Sequence, residues 1–121
     1  MEMTIQEVKQ LDKDSYQIID IRDDNEIAHG AIPGAVALKV EEIAENPLVD
    51  KSKKLVICCS RGKYSQEVVP ELIEKGLDAV SLKGGYIAWL MDLMREDQEK
   101  DISADVEKSI RKKFRKSIWC K

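Results

Sequence analysis

The amino-acid sequence predicts a single α/β domain, with a mostly parallel sheet covered by helices on both faces. Short apolar runs rich in β-branched residues alternate along the chain with segments of helical periodicity. Parallel strands need long crossover connections, so this alternation favours a parallel sheet. The run from Leu55 to Cys58 is apolar throughout, as expected for a strand buried on both faces.

The first half of the chain contains one predicted helix, two strands and shorter segments. Thr4 can cap a helix that ends near Lys9, with Glu7 at the third position of a capping box. The next elements are a strand, a turn or short helix, a glycine-rich loop, a short strand and one or two helical turns, at residues 16–22, 23–28, 30–35, 36–38 and 40–45.

The second half begins with the strongest strand pattern of the sequence. The predicted elements are a strand, a helix that contains Pro70, a fourth strand and a further helix, at residues 53–58, 62–75, 78–82 and 86–95. We therefore expect one α/β domain over residues 1–94, a charged linker over 95–102 and a basic amphipathic helix over 103–121.

Length and composition exclude several classes of protein. The 121 residues are 43% hydrophobic and 36% charged, which is typical of one folded domain and too apolar for a disordered chain. No run approaches the roughly 18–20 apolar residues of a membrane span, and no signal peptide is visible. We therefore expect a cytoplasmic protein without a membrane partner. With one histidine, His29, and three cysteines without metal-site spacing, no metal site is expected.

The residues after the third strand predict a reactive thiol. Cys59 directly follows the predicted strand, and the helical pattern resumes at Gly62. This order places the thiol at a helix N-terminus, where unpaired N–H groups and the helix dipole favour an anion. Arg61 and Lys63 add positive potential, and such surroundings commonly lower a thiol pKa from ~8.5 to ~7 or below. Ser65 can cap the helix or direct its hydroxyl at a bound group. The same surroundings would stabilise a persulfide, which is also an anion.

Four motifs, in this order, resemble those of the single-domain rhodaneses, a family of sulfurtransferases. Asp20-Ile21-Arg22 looks like the family's Asp-Val-Arg strand end, and Glu26 lies where the acidic partner of that arginine is usual. Residues 30–35, Gly-Ala-Ile-Pro-Gly-Ala, are similar to the family's Gly-His-Ile-Pro-Gly-Ala loop. Residues 57–62 resemble Val-Tyr-Cys-Arg-x-Gly, and residues 82–89 match the closing Gly-Gly motif. The resemblance covers residues 3–92.

The resemblance implies a rhodanese-like fold and a sulfur relay. Cys59 stands three residues before Gly62, as the family's nucleophile does, whereas Cys58 is expected to be a buried core residue. Cys59 would take sulfur from thiosulfate or a protein persulfide, such as that of a cysteine desulfurase, and pass it to an acceptor protein or domain. No cofactor is implied. The implied anion-binding loop comprises Ser60, Arg61, Gly62, Lys63, Tyr64 and Ser65, and the implied supporting network comprises Asp20, Arg22 and Glu26.

Three positions depart from the family's pattern, and two alternative functions remain. Ala31 replaces a loop histidine, and Ser60 and Tyr64 stand where arginines are frequent, which leaves the preferred donor and acceptor open. A cysteine phosphatase would carry an arginine six residues after the nucleophile, where this chain has Ser65, and its loop would be one residue longer. A non-catalytic rhodanese-like binding module usually lacks the cysteine.

The C-terminal segment has a charge opposite to that of the whole chain. Residues 103–121 hold seven basic and two acidic side chains, a net charge of +5, whereas the chain carries −3. Residues 110–119 resemble the basic lead-in to the ATP-pyrophosphatase domain of tRNA 2-thiocytidine synthetase-like proteins. The interpretations are a solvated helix face, a membrane-surface helix, or a tRNA-facing segment that starts a following domain. The last of these predicts a role in tRNA thiolation.

Overall fold

A computed structural model describes residues 1–96 of the chain and shows one five-stranded sheet. All neighbouring strands run parallel, in the order β1-β5-β4-β2-β3. The strands are β1 (Glu2–Met3), β2 (Tyr16–Asp20), β3 (Val36–Ala37), β4 (Lys54–Cys58) and β5 (Ala79–Leu82). The parallel sheet confirms the predicted α/β class.

Short helices connect the strands. They are α1 (Ile5–Lys9), α2 (Asp24–Ala28), α3 (Val40–Ile43) and α4 (Lys63–Glu74), and residues 85–96 are helical as well. The predicted capping box at α1 is present: the Glu7 amide donates to the Thr4 hydroxyl, and the Thr4 amide donates to the Glu7 carboxylate. Among the described residues, no helix is long and apolar enough to cross a membrane.

The chain divides into two units, with the boundary between Trp89 and Leu90. The first unit holds the whole sheet and α1–α4. In the second unit, residues 90–96 are helical, and Arg95 donates a hydrogen bond of 2.8 Å to Asp92. The predicted basic helix and residues 97–102 of the predicted linker lie outside the described residues.

The sheet is packed with apolar side chains on both faces. Along β4, Leu55 and Ile57 belong to one buried cluster and Val56 and Cys58 to the other, because successive side chains of a strand point to opposite faces. The first cluster includes residues of α3 and α4, namely Ile43, Val68, Val69 and Leu72. The second includes α1 residues Ile5 and Val8 and the partly buried Tyr86 and Trp89. Helices therefore cover both faces, as predicted.

Two elements differ from the sequence prediction. Strand β1 was not predicted, because its two residues are too few to show an alternating pattern. Strand β2 ends at Asp20 and not at Arg22. The Asp20 carboxylate accepts hydrogen bonds from both the backbone N–H and the guanidinium of Arg22, and this local side-chain bonding replaces the continued strand ladder.

The strand order places a crevice beside the cysteine loop. From β2 the chain proceeds to β3 on one side of the sheet, whereas from β4 it proceeds to β5 on the other side. Ligands of open parallel sheets bind outside the carboxyl ends of the strands, where the order reverses in this way. That point lies between the ends of β2 and β4, at Asp20 and Cys58, which are register partners.

Gly85 packs directly against the loop that follows β4. The amide of Tyr86 donates to the carbonyl of Cys59 at 2.8 Å, and that of Ile87 donates to the carbonyl of Ser60 at 3.1 Å. Gly85 has a φ of +61°, and a Cβ there would overlap the Cys59 carbonyl oxygen and lie 2.8 Å from the Arg61 nitrogen. Only glycine allows this close backbone approach.

The substitution Gly85→Ala tests this packing. We expect it to lower the free energy of unfolding by about 1–3 kcal/mol more than Gly34→Ala does, because of the added backbone clash. Gly34 is the matched control, since its φ of +83° is also left-handed but a Cβ there meets no atom within 4 Å. Urea denaturation of both variants measures the difference, and equal losses would show that the close approach is not a constraint.

Candidate active site

The loop between β4 and α4 encloses the sulfur of Cys59. Gly62 precedes α4 with left-handed backbone angles (φ +87°, ψ +4°), which turn the chain back over the thiol. The amide of Gly62 lies 3.0 Å from Cys59 Sγ, and the amide of Ser65 lies 3.4 Å from it. These are unpaired N–H groups of a helix N-terminus, so the loop presents hydrogen-bond donors to a sulfur anion.

Ser65 adds a hydroxyl to these amides. Its Oγ lies 3.3 Å from Cys59 Sγ and 2.6 Å from the Oγ of Ser81, at the end of β5. Ser65 and Ser81 are fully buried, and Cys59 is only 5% exposed. The sulfur therefore lies at the floor of the crevice, in contact with fixed dipoles and with little access to water.

The two adjacent cysteines have opposite acidities. Burial raises the pKa of the Cys59 thiol, but hydrogen bonds from the Ser65 hydroxyl and from the amides of Ser65, Gly62 and Arg61 lower it by more. Its pKa therefore lies below the ordinary value for cysteine. Burial and the nearby Asp20 carboxylate raise the pKa of Cys58 to about 12, and its thiol donates toward the Cys59 carbonyl. Of these two thiols, that of Cys59 is therefore the one that ionises more readily.

A buried ion pair holds the end of β2 beside this loop. The Arg22 Nη2 atom lies 2.8 Å from Asp20 Oδ2, and both side chains are almost completely buried. Arg22 also donates to the Gly30 carbonyl at 2.8 Å, and its guanidinium lies 3.9 Å from the centre of the Tyr86 ring. A buried charge needs such partners. The pair therefore joins β2, the glycine-rich loop and the start of the helix at residues 85–96.

A cleft of about 460 Å³ opens above the sulfur. Among the residues that line it are the loop cations Arg61 and Lys63 and the carboxylates of Asp23 and Glu26. The hydroxyl of Ser60 donates to the Glu26 carboxylate. Tyr64 also lines the cleft, and its side chain is half exposed. The cleft thus carries charges of both signs, whereas the loop amides at its floor direct their N–H groups at the sulfur.

The structure brings most of the predicted site residues together. All six predicted loop residues surround Cys59 or line the cleft, namely Ser60, Arg61, Gly62, Lys63, Tyr64 and Ser65. The expected pairing of Glu26 with Arg22 is wrong: Arg22 pairs with Asp20, whose carboxylate accepts three hydrogen bonds from the Arg22 guanidinium, and Glu26 accepts from Ser60. Sequence reasoning missed Ser81, whose only signal was a polar residue inside an apolar strand.

The difference between the two thiols predicts a pH-dependent pattern of alkylation. A thiol reacts as its thiolate, and the pKa of Cys59 is lowered. Cys59 should therefore keep its reactivity as the pH falls through the range where ordinary thiols lose it, whereas Cys58 should remain unlabelled up to strongly alkaline pH.

Mass spectrometry of fragmented peptides measures each cysteine separately, including Cys120. In Cys59→Ser the reaction at low pH should be absent, and Cys58→Ala should retain it. Labelling of Cys58 before Cys59 would contradict the assignment.

Comparison with known proteins agrees with this geometry. The family model described as rhodanese-like domain matches residues 4–92. The thiosulfate sulfurtransferase GlpE of Shewanella oneidensis is 41% identical over 84 residues, which cover 68% of this chain and 83% of that protein. A sulfurtransferase of Allochromatium vinosum is 35% identical over 80 residues, covering 64% of this chain and 75% of that protein.

A solved structure extends the agreement to the fold. The crystal structure of a rhodanese-like domain protein from Staphylococcus aureus has a TM-score of 0.63 and 36% sequence identity. The similarity covers 73% of this chain and 89% of that one. The family model covers strands β2 to β5 and the cysteine loop, whereas β1 lies before its first matched residue. The chain therefore belongs to the rhodanese family of sulfurtransferases.

Proposed function

We propose that this rhodanese-type sulfurtransferase carries sulfane sulfur as a persulfide on Cys59. The observation that carries the proposal is the pair of amides directed at Cys59 Sγ, with the Ser65 hydroxyl in hydrogen-bond contact with the same sulfur. Donors fixed around a sulfur anion stabilise both the attacking thiolate and the persulfide anion that replaces it. In addition, the buried floor of the cleft protects the persulfide from competing nucleophiles in water.

The first step loads the enzyme. The Cys59 thiolate attacks the outer sulfur of the donor, so that a new S–S bond forms as the donor's bond to that sulfur breaks. The leaving group takes the bonding electron pair, as sulfite if the donor is thiosulfate or as a thiolate if it is a protein persulfide. In the second step a nucleophilic acceptor takes the outer sulfur, and the Cys59 thiolate is released. Sulfur is transferred and no external oxidant is consumed.

Charged side chains that line the cleft affect the binding of the sulfur donor. Arg61 and Lys63 are exposed cations that lower the free energy of an incoming anion and of its anionic leaving group. Asp23 and Glu26 oppose a doubly charged anion such as thiosulfate. Ser60 gives its single proton to Glu26, so recognition of the anion depends on the loop amides and the two cations. We therefore expect a protein persulfide, such as that of a cysteine desulfurase, to load Cys59 faster than thiosulfate, which the two cations still attract.

The acceptor and compartment are further parts of the proposal. The basic composition of residues 103–121 supports a segment that approaches RNA, with a tRNA-thiolating protein or domain as the acceptor of sulfur. A reducing cytoplasm would keep the Cys59 thiol available. Transfer of isotopically labelled sulfur from the loaded enzyme to thiolated tRNA, in the presence of such an acceptor, tests this assignment. Label that stays on the enzyme would defeat it.

Two alternatives predict different chemistry at the same loop. A cysteine phosphatase needs a side chain that grips phosphate six residues after the nucleophile, and here that residue is the buried Ser65, which contacts the sulfur itself. A non-catalytic binding module needs no activated thiol, yet hydrogen bonds lower the pKa of Cys59. Both observations favour sulfur transfer.

The central experiment offers the enzyme thiosulfate and then cyanide as an acceptor. We expect steady formation of thiocyanate, because cyanide takes the outer sulfur of the persulfide. Cys59→Ser should lower this activity by at least about a thousandfold, as expected for loss of a nucleophile that defines the mechanism. Cys58→Ala is the matched control at the adjacent position and should keep most of the activity.

Other results would support the alternatives. Hydrolysis of an aryl phosphate without any thiocyanate would indicate a phosphatase. Absence of both reactions in a folded protein, as judged by its circular dichroism spectrum, would favour a binding module.

A further inference from the structure

A pair of buried hydroxyl groups lies behind the sulfur of Cys59. Ser65 Oγ contacts both Cys59 Sγ (3.3 Å) and Ser81 Oγ (2.6 Å), and neither serine is exposed to solvent. Ser81 lies outside the cysteine loop, and neither step of the sulfur relay described above assigns a role to its hydroxyl. This hydroxyl lies on an apolar face of the sheet, where burial of a polar group without a hydrogen-bond partner costs free energy.

The position of Ser81 is set by the sheet and not by the loop. Strand β5 lies between β1 and β4, and Ser81 is the register partner of Glu2 on one side and Ile57 on the other. Its amide also donates to the Met1 carbonyl at 3.0 Å. Ile57 belongs to the same buried cluster as the residues of α4, and the Ser81 side chain meets Ser65 in the first turn of that helix. The hydroxyl is therefore fixed by strands on both sides.

The two hydroxyl protons of Ser65 and Ser81 favour the thiolate of Cys59 over its thiol. Each hydroxyl has one proton to donate. When Cys59 is a thiolate, Ser81 donates to Ser65 and Ser65 donates to the sulfur, so both protons are used. When Cys59 is a thiol that donates to Ser65, the Ser65 proton is directed to Ser81. Among the described residues, the Ser81 hydroxyl then has no hydrogen-bond acceptor. An unused buried donor costs free energy, so the pair favours the anion.

We propose that Ser81 is a positioning residue, which directs the Ser65 hydroxyl toward the sulfur of Cys59 and so stabilises its anionic forms. Both the thiolate and the persulfide bring an anionic sulfur to this loop, and the inference rests on the proposed role of Cys59 as the sulfur carrier. A chain of two hydroxyls aimed at one anion is stronger than a single hydroxyl, because each hydrogen bond polarises the next. Ser81 thereby links β5, and through it the β1 edge, to the reactivity of the loop.

Other ionisable groups near the sulfur remain unchanged by a serine-to-alanine substitution. Cys58 precedes Cys59 on β4, and Asp20 is the register partner of Cys58 on β2. The ionisable groups that line the cleft are Arg22, Asp23, Glu26, Arg61, Lys63 and Tyr64. A change in the ionisation of the Cys59 thiol in Ser81→Ala would therefore result from loss of the hydrogen bond between Ser81 and Ser65.

The test is a double-mutant cycle, read out by the rate of Cys59 alkylation. The four proteins are wild type, Ser65→Ala, Ser81→Ala and the double variant, each measured across the pH range as full-length chain. Below the apparent pKa of Cys59, Ser81→Ala should slow alkylation by about three- to tenfold, as expected for one lost hydrogen bond to the chain of donors. In the Ser65→Ala background the same change should have little effect, because Ser81 acts through Ser65.

Two control variants complete the experiment. Ser81→Thr retains the hydroxyl and should keep alkylation near the wild-type rate. Ser15→Ala removes an exposed hydroxyl that bonds the Asp12 carbonyl, and it should change nothing. Equal rates for wild type and Ser81→Ala, or a slowing that persists undiminished in the Ser65→Ala background, would overturn the proposal. Alkylation needs no sulfur donor, so a failure of sulfur transfer and a failure of this inference remain distinguishable.

Discussion

The hydrogen bonds around Cys59 Sγ are the constraint on which the rest of the site depends. For the amides of Gly62 and Ser65 to reach one sulfur atom, the chain must reverse within four residues of the end of β4. This reversal requires the left-handed backbone of Gly62, and the turned loop leaves room for only a glycine at position 85. The closing Gly-Gly turn is therefore a structural part of the site, although it contributes no side chain to the chemistry.

The same geometry explains how two neighbouring cysteines have different roles. Cys58 is the last residue of β4 and points into the core on the α1 side, where burial keeps its thiol neutral. Cys59 is one residue further along and points to the opposite side, toward the first turn of α4. A shift by one residue along the chain changes the face of the sheet, and here it also separates a thiol with a raised pKa from one with a lowered pKa.

The local features of this protein are predictable from its sequence, whereas contacts between distant segments are not. Strand β4, the loop glycine and helix α4 follow one another directly, so apolar pattern and spacing are sufficient to predict the position of Cys59 at a helix N-terminus. The role of Ser81 depends on β5 lying next to β4, and the pattern of one strand does not specify its neighbours. The pairing of Glu26 was missed for the same reason, because Ser60 is 34 residues away.

The proposed sulfur relay requires a sulfur atom attached to Cys59, and mass spectrometry of the full-length protein measures this atom directly. After incubation with thiosulfate and removal of the excess, we expect a mass increase of about 32 Da, one sulfur atom, located by fragmentation on Cys59. Cyanide should remove it, and Cys59→Ser should not acquire it. An unmodified Cys59, or added sulfur located on Cys58 or Cys120, would contradict the account.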